Sequence, residues 1–372
     1  MNEFLIKGWC PSYTKPALAK DGFFLRISPD KGYLSPKKTT LICDLSIRFG
    51  NGLIDLTNRG RLQIRGIKEK NLENIILILK QNKIIQNQHH HHIIINPFWK
   101  KKDKNLLFYQ TLKSILSKLP LLPDKFLFAV DLGQNPVLSR IPADIRLEHD
   151  KNGKVIIRAD GHLMGKNITP DNLLENIITL SRYFVENSSK EIRRMSHLIN
   201  KKPLSYEWCQ HYPAVSKLPS MNDIGKLGIY YGTKYGRIKS KHFKDLLKSS
   251  NPKRIRFTPF KSFIFEKGLD ILNNDSSNTL ENPFSKVYAC PGKGFCSSST
   301  INTYQIADKI RQLTDKGIHV SGCSKGCAFS KKSEITLVGN NGLIDIIYNG
   351  KSNDKPQVTS IKKEEILNKI VF

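Results

Sequence analysis

The sequence lacks the features that mark secreted and membrane-embedded proteins. In a chain of 372 residues, the longest apolar runs fall far short of the roughly 20 residues that a membrane-spanning helix needs. The opening stretch, MNEFLIKGWCPSY, has no basic start, long apolar segment or small-residue cleavage site of a signal peptide. Seven cysteines, an odd number in a long chain, do not indicate a disulfide framework. We therefore expect a cytoplasmic protein with no membrane partner.

Acidic residues are also scarce. The chain has 32 Asp and Glu against 60 Lys and Arg, which gives a formal net charge of +28. Such a balance favours an anionic partner. The lysines, however, are spread along the whole chain and form no stripe of basic and aromatic residues, as a nucleic-acid surface would need. We therefore expect no nucleic-acid partner. A basic nucleic-acid binder with a structural metal cluster ranks third among the functions considered, and salt-sensitive DNA binding would support it.

The first part of the chain has the order strand, helix, strand, strand, helix. Residues 23–27 form the first predicted strand. A helix follows, with Ser35 as its N-cap, Pro36 in its first turn and Gly50 at its end. The next elements are strands over residues 53–56 and 62–67 and a helix with Leu72, Ile75, Ile76 and Leu79 on one face. This order is typical of a ferredoxin-like half-unit.

A second copy of this unit is predicted further along the chain. Residues 228–248 echo residues 23–45, and residues 254–265 echo residues 53–67. One strand in each copy ends in a threonine, Thr57 or Thr258, and basic residues follow it. Such patterns also recur by chance, but the order and spacing agree. Two copies would pack about a pseudo-twofold axis and form a cleft where they meet.

The region between the copies is less regular. Residues 81–105 contain the run His89–His92, which we interpret as a loop expansion, since neighbouring side chains of a strand point to opposite faces and cannot all bind one ion. Strands are predicted over residues 127–133 and 155–161, and a helix over Asp171–Glu186. Residues 188–222 are predicted to be a linker.

Four cysteines lie close together near the end of the chain. They occur in ACPGKGFC and HVSGCSKGCAF with spacings C-x5-C and C-x3-C, at Cys290, Cys296, Cys323 and Cys327. A helix with Ile306, Ile310 and Leu313 on one face is predicted between the pairs. Soft thiolates select zinc, copper(I) or iron–sulfur clusters, and the first pair is wider than structural zinc sites favour. We therefore predict a [4Fe-4S] cluster.

At these cysteines the sequence resembles the nitrite and sulfite reductase superfamily, whose ferredoxin-like halves also occur twice. The resemblance covers residues 8–350. Within the superfamily the chain is most similar to the precorrin-3B synthase family, in GWCPSYTKPALAKDGFFLRISP, GNGLIDLTNRGRLQIRG, LPDKFLFAVDLG, ADIRL and HVSGCSKGCA. That family implies a [4Fe-4S] cluster, a mononuclear non-haem iron, molecular oxygen and an electron donor, either NADH or a reductase or ferredoxin. Its reaction hydroxylates precorrin-3A at C20 and closes a lactone in aerobic cobalamin synthesis.

The resemblance also implies the domain organisation. The fold class is α+β, with two pseudo-twofold-related ferredoxin-like half-units and two sirohaem-reductase-like α/β domains. The predicted boundaries are residues 1–80 for the first half-unit, 81–200 for the first reductase-like domain, 215–275 for the second half-unit and 283–372 for the cluster-binding domain.

The predicted substrate, precorrin-3A, carries many carboxylates, so its pocket needs cations. Arginine suits this role because its fork binds carboxylates in a bidentate way. The predicted substrate-binding residues are Arg26, Arg59, Arg65, Arg146, Lys261 and Lys325. For each of the four arginines an exposed, solubilising role is the competing interpretation, whereas Lys325 is expected to face the cofactor or the substrate.

Two of the basic residues are predicted to be catalytic. Superfamily reductases resemble one another in a cluster of two Arg and two Lys, of which Arg59 and Lys125 match the first of each. The second Arg falls near His91 and the second Lys position is Leu127. A reductase of an inorganic anion needs its proton donors, so the loss favours a larger organic substrate. The second alternative remains a sirohaem- and [4Fe-4S]-dependent nitrite or sulfite reductase, in which Cys327 would also bridge to sirohaem.

The chain departs from the precorrin-3B synthase pattern at two places. Phe260 and Lys261 stand where the family commonly has Trp and Arg in a Thr-Pro-Trp-Arg motif. After the last cysteine, AFSKKSE replaces the usual His-Pro stretch.

Overall fold

The computed structural model describes residues 12–13, 15–85, 92–133, 136–189, 191–217, 224–270, 280–281 and 285–371. The strands in these residues form four five-stranded sheets. In chain order the strands are β1 (Ala17–Ala19), β2 (Gly22–Ile27), β3 (Tyr33–Leu34), β4 (Leu53–Leu56), β5 (Leu62–Ile67), β6 (His92–Ile95), β7 (Leu127–Asp131), β8 (Ile145–His149), β9 (Val155–Ala159), β10 (Lys166–Asn167), β11 (Ile229–Thr233), β12 (Arg237–Lys239), β13 (Arg254–Thr258), β14 (Ser262–Glu266), β15 (Leu280–Glu281), β16 (Val287–Ala289), β17 (Ile318–Ser321), β18 (Ser333–Asn340), β19 (Leu343–Gly350) and β20 (Val358–Ile361). The helices are α1 (Pro36–Phe49), α2 (Leu72–Gln81), α3 (Lys104–Ile115), α4 (Leu173–Asn187), α5 (Met195–Lys201), α6 (Ser240–Ser250), α7 (Thr303–Ile310) and α8 (Ile366–Lys369).

Two of the sheets exchange equivalent strands. The first has the order β1-β2-β5-β4-β12, and the third has the order β15-β11-β14-β13-β3. Thus β12, from the second copy, completes the sheet of the first copy, and β3, from the first copy, completes the sheet of the second. Both pairings are antiparallel, and α1 packs against α6. This reciprocal arrangement supports the predicted duplication and its pseudo-twofold axis.

The same local chemistry precedes the exchanged strand in both copies. Lys31 and Tyr235 have φ values of 53° and 56°, and each is followed by a left-handed glycine. These turns lead directly into β3 and β12. In the first copy the next helix then begins as predicted, because the Ser35 side chain accepts a hydrogen bond from the backbone N–H of Lys38. A repeated turn of this kind is a local feature that the two copies share.

The second sheet, in the order β10-β9-β8-β7-β6, forms most of the central region. The predicted irregular stretch 81–105 is wrong in part, since β6 lies within it and pairs in parallel with β7. His89–His91 lie outside the described residues. The predicted linker 188–222 is also wrong in part, because α5 and Trp208 bury apolar side chains against this sheet. The apolar periodicity of α5 is too short to be recognised from the sequence alone.

The fourth sheet, in the order β16-β17-β18-β19-β20, carries the cysteines. Strands β16, β17 and β18 pair in parallel. Strand β19 pairs antiparallel with both β18 and β20. The predicted helix between the cysteine pairs is α7, which buries Ile306 and Ile310 but ends before Leu313; that side chain is 51% exposed. The predicted domain boundaries stay a prediction. No helix among the described residues is long and apolar enough to cross a membrane.

Candidate active site

Two parallel strands bring the cysteine pairs together. Cys290 directly follows β16, and Cys323 lies two residues after the end of β17. Because β16 and β17 pair in parallel, the loops that follow them leave the same edge of the sheet. The backbone N–H of Gly322 donates a hydrogen bond of 3.2 Å to the Sγ of Cys290. The two loops therefore meet, as the sequence predicted.

The loops are packed tightly against each other. A Cβ on Gly322 would lie 2.1 Å from the Oγ of Ser299. Gly326 has a φ of 59°, and a Cβ there would lie 2.3 Å from the Oγ of Ser352. Lys325, between the second pair of cysteines, donates from Nζ to the Oγ of Ser298 in the first loop. The glycines are thus required by close approach, and Lys325 joins the loops.

All four cysteines line one cavity of about 330 Å³. Burial raises the pKa of Cys290, and the neighbouring thiols of Cys296 and Cys323 raise it further. Enclosure by protein likewise raises the pKa of Cys327, as do the other three thiols. The thiols are therefore close enough to interact electrostatically, and six of the seven cysteines, all except Cys10 outside the described residues, form no disulfide.

This donor set fits a [4Fe-4S] cluster, in which each of four thiolates binds a different iron. Soft thiolates suit iron–sulfur chemistry, and the cluster's positive irons would offset the mutual repulsion of the sulfurs. A single metal ion is a different case. Within the ranges that the structure describes, no three His, Cys, Asp or Glu side chains are arranged to hold one ion. The mononuclear iron that the resemblance implies therefore stays a prediction, with no ligand set assigned among the described residues.

The first cysteine loop is anchored to the first sheet through Phe295. The guanidinium carbons of Arg237 and Arg65 lie 4.1 and 5.7 Å from the centre of its ring. Arg65 also donates to the backbone oxygen of Phe295 at 2.8 Å. Asp55 pairs with Arg237 through hydrogen bonds of 2.7 and 3.0 Å, and Asp21 pairs with Arg65. Although burial opposes it, the Asp55 carboxylate raises the pKa of Arg237, so this arginine is charged.

Four of the predicted substrate-binding residues line the cysteine cavity: Arg26, Arg65, Lys261 and Lys325. Arg26 donates from Nε to the Oε1 of Gln63 at 2.9 Å. Lys261 has a φ of 57° in the turn between β13 and β14. Their roles toward a substrate stay a prediction.

The remaining predicted residues lie elsewhere. Arg59 is half-buried in the turn between β4 and β5, Lys125 precedes β7, and neither lines this cavity. Arg146 is 2% exposed within the second sheet. Its guanidinium pairs with Asp160 and donates to the backbone oxygens of residues 138 and 141. Arg146 thus supports the loop that contains residues 138 and 141, and it does not line the cysteine cavity. His91 lies outside the described residues.

Sequence reasoning missed three residues of this site, namely Asp55, Arg237 and Tyr304. Tyr304 lines the cavity beside Cys290, and burial raises its pKa. Arg237 and Asp55 are 182 positions apart. Their pairing depends on the exchange of β12, for which the sequence gives no local signal.

His319 is a further buried group near the cysteines. It lies in β17 and is fully buried, and within the described residues neither ring nitrogen has a hydrogen-bond partner. Burial, together with the charge of Lys261, lowers its pKa to about 4. The imidazole is therefore neutral at physiological pH.

The fold resembles that of the nitrite and sulfite reductases. A family model described as the nitrite/sulfite reductase ferredoxin-like half domain matches residues 17–82. Among solved structures, the NirA protein of Mycobacterium tuberculosis superimposes with a TM-score of 0.65 and 17% identity, over 93% of this chain and 79% of NirA. This likeness establishes the fold.

More specifically, the chain is similar to a precorrin-3B synthase. That protein, from a Sinorhizobium species, is 24% identical over 398 residues, which cover 94% of this chain and 84% of the relative. The resemblance predicted from the cysteine motif and the opening segment is confirmed. The chain is thus similar to a precorrin-3B synthase in sequence and to NirA in fold.

Proposed function

We propose that this protein is a precorrin-3B synthase, an oxygen-dependent monooxygenase that hydroxylates precorrin-3A at C20 with lactone formation in cobalamin biosynthesis. The observation that carries the proposal is the similarity to a precorrin-3B synthase over 94% of the chain. A cavity that combines four thiols with basic side chains adds support. The electron donor would be NADH or a reductase or ferredoxin.

The four cysteines would hold a [4Fe-4S] cluster, which, when bound, supplies single electrons. The chain's own contribution is to shape that position. The N–H of Gly322 stabilises the thiolate of Cys290 by a hydrogen bond. Phe295, in contact with Arg65 and Arg237, fixes the loop that carries Cys296 against the first sheet.

The substrate would enter beside the cysteines, where Arg26, Lys261 and Lys325 face the cavity. These cations would bind its carboxylates, and a guanidinium would bind one in a bidentate way. Arg65 lines the same cavity, but its ion pair with Asp21 and its bond to the Phe295 carbonyl engage it with protein. We therefore assign Arg65 to positioning the loop, with substrate contact as a secondary role.

A sirohaem-dependent nitrite or sulfite reductase is the second candidate, because the half-domain match and the NirA-like fold favour it. The visible spectrum of the purified protein distinguishes the two. Sirohaem gives strong absorption in the red region, whereas a bare cluster gives only a broad brown shoulder. Strong sirohaem bands would contradict the synthase proposal.

The direct test begins with anaerobic purification and the analysis of iron and sulfide. The protein is then incubated with precorrin-3A, a reductant and isotopically labelled O2. We expect a hydroxylated lactone that carries the label. A product labelled from water, or no product from a protein with a full cluster, would refute the proposal.

A further inference from the structure

A second cavity of about 530 Å³ adjoins the cysteine cavity. The two share Asn58, Lys261 and Ala328 as lining residues. The second cavity is lined mainly by the loop 137–142, the turn after β13 and the segment after Cys327. Asn58, Ser216, Lys217, Ser285 and Tyr288 complete its lining. Its volume is within the range of small-molecule sites. It holds none of the cysteines and none of the residues that sequence reasoning proposed, apart from Lys261.

The lining of this cavity is strongly basic. Arg140, Lys217, Lys261 and Lys331 contribute side chains, and no Asp or Glu is among the described lining residues. Among the ion pairs of the residues that the structure describes, none includes Arg140, Lys217 or Lys331. Like charges in a shared concave site repel one another and raise the local concentration of anions. The cavity therefore has a charge that an anionic ligand would neutralise.

An apolar wall faces these cations. The rings of Tyr288 and Phe329 stack at 4.1 Å with an interplanar angle of 10°, and Phe260 contributes a third aromatic ring to the lining. Burial raises the pKa of Tyr288, and the charge of Arg140 partly offsets this, so Arg140 lies near the aromatic pair. A flat apolar body with acidic arms would match both parts of the cavity.

Buried groups hold the basic loop in place. The carboxylate of Asp131 accepts hydrogen bonds from the backbone N–H groups of Val137 and Leu138 at 2.8 and 2.6 Å. Arg146 donates to the carbonyl oxygens of Leu138 and Ile141 at 3.0 and 2.5 Å. The loop that presents Arg140 is thus fixed before any ligand binds, which lowers the entropic cost of binding.

We propose that this cavity is a carboxylate-binding site for one edge of a polycarboxylate tetrapyrrole. Arg140, Lys217 and Lys331 bind the acidic side chains, Tyr288 and Phe329 support the apolar body, and Lys261 lies where this site opens toward the cysteines. This assignment rests on the proposed function, and it identifies Arg140, Lys217 and Lys331 as residues that would determine substrate specificity. Lys331 belongs to the AFSKKSE segment that follows the last cysteine.

Uroporphyrin is a suitable test ligand because it is stable in air and carries eight carboxylates, whereas coproporphyrin carries four. Binding to the purified holoprotein is followed by fluorescence quenching at low and high salt. We expect Lys331→Gln, Lys217→Gln and Arg140→Gln each to weaken uroporphyrin binding by about 2- to 5-fold, as expected for charge-assisted contacts at exposed positions. The matched control is Lys332→Gln, since Lys332 is the exposed neighbour of Lys331 and does not line the cavity.

The triple variant should lose most of the preference for uroporphyrin over coproporphyrin. Equal uroporphyrin affinity in the wild type and the triple variant would overturn the assignment, as would displacement of uroporphyrin by NADH. Kinetics distinguish this failure from that of the synthase proposal. Turnover of precorrin-3A with an unchanged KM in the triple variant refutes only the carboxylate site. No turnover, with uroporphyrin binding that still depends on the three cations, refutes only the synthase.

Discussion

Gly322 is the position at which the packing of the cysteine loops can be tested most directly. A Cβ added there would lie 2.1 Å from the Oγ and 2.5 Å from the Cβ of Ser299. The backbone of Gly322 is not left-handed, so alanine meets no conformational strain. The Oγ of Ser299 also donates to the carbonyl oxygen of Ile301. A Gly322→Ala substitution must therefore displace Ser299 or move one loop away from the other.

The expected cost follows from these two effects. Overpacking a tight contact costs about 1–3 kcal/mol, and loss of the Ser299 hydrogen bond adds about 1 kcal/mol. We therefore expect the free energy of unfolding to fall by about 2–4 kcal/mol. Chemical denaturation followed by far-ultraviolet circular dichroism measures this loss. The iron content should fall as well. The same movement separates Cys290 from the backbone N–H of Gly322, which donates a hydrogen bond to its sulfur.

Second-site variants identify the cause. Ser299→Ala leaves a Cβ in contact and should rescue Gly322→Ala only in part, whereas Ser299→Gly removes both clashing atoms and should rescue it further. The matched control is Gly225→Ala, because a Cβ there meets nothing within 4 Å; it should be neutral or slightly stabilising. Wild-type stability of Gly322→Ala, or no rescue by Ser299→Gly, would refute the reasoning.

Three further predictions concern charge, pH and metal. Arg237→Met should lower the free energy of unfolding by about 3–5 kcal/mol, because it leaves a largely buried carboxylate without its main partner; Lys244→Met, at an exposed ion pair, should change it little. The pKa of His319 is lowered to about 4 in the folded protein. As the pH falls, the imidazole is therefore protonated in the unfolded chain before it is protonated in the folded one. Stability should therefore decline between about pH 6.5 and 4 by about 3 kcal/mol, and a His319→Leu variant measured across that window should lack this slope. Cys323→Ser should lose most iron and sulfide in a colorimetric assay, whereas Cys209→Ser should retain both.

Local elements of this fold could be predicted from the sequence because their signals are local. Helix α1 begins after Ser35 and ends before Gly50, as its capping residues indicate. Strands β4 and β5 have the predicted bounds, since each is a short apolar run between turn residues. A helix between two strands predicts that the strands pair in parallel. Strands β16 and β17 do so, and the cysteine loops that follow them therefore meet. Each of these inferences depends on residues close together in the chain.

The parts that could not be predicted depend on distant pairing. Nothing near Arg237 indicates that it contacts Asp55, because the contact exists only when β12 joins the first sheet. For the same reason the sequence predicts a ligand-binding role for Arg65 but does not reveal its contacts with Asp21 and Phe295. The basic cavity likewise draws Arg140, Lys217 and Lys331 from three separate segments. Arginine and lysine patterns alone do not reveal which cations are already paired.

The exchange of β3 and β12 has a consequence for the synthesis of the protein. While the chain emerges from the ribosome, β4 has no partner on one side until Lys239 has been made, more than 180 residues after Leu56. An unpaired strand edge of this kind can pair with other nascent chains. The first half therefore spends much of translation as an incomplete sheet, and the two halves can reach their final form only together. Slow folding with late closure of both sheets is the behaviour that this topology implies.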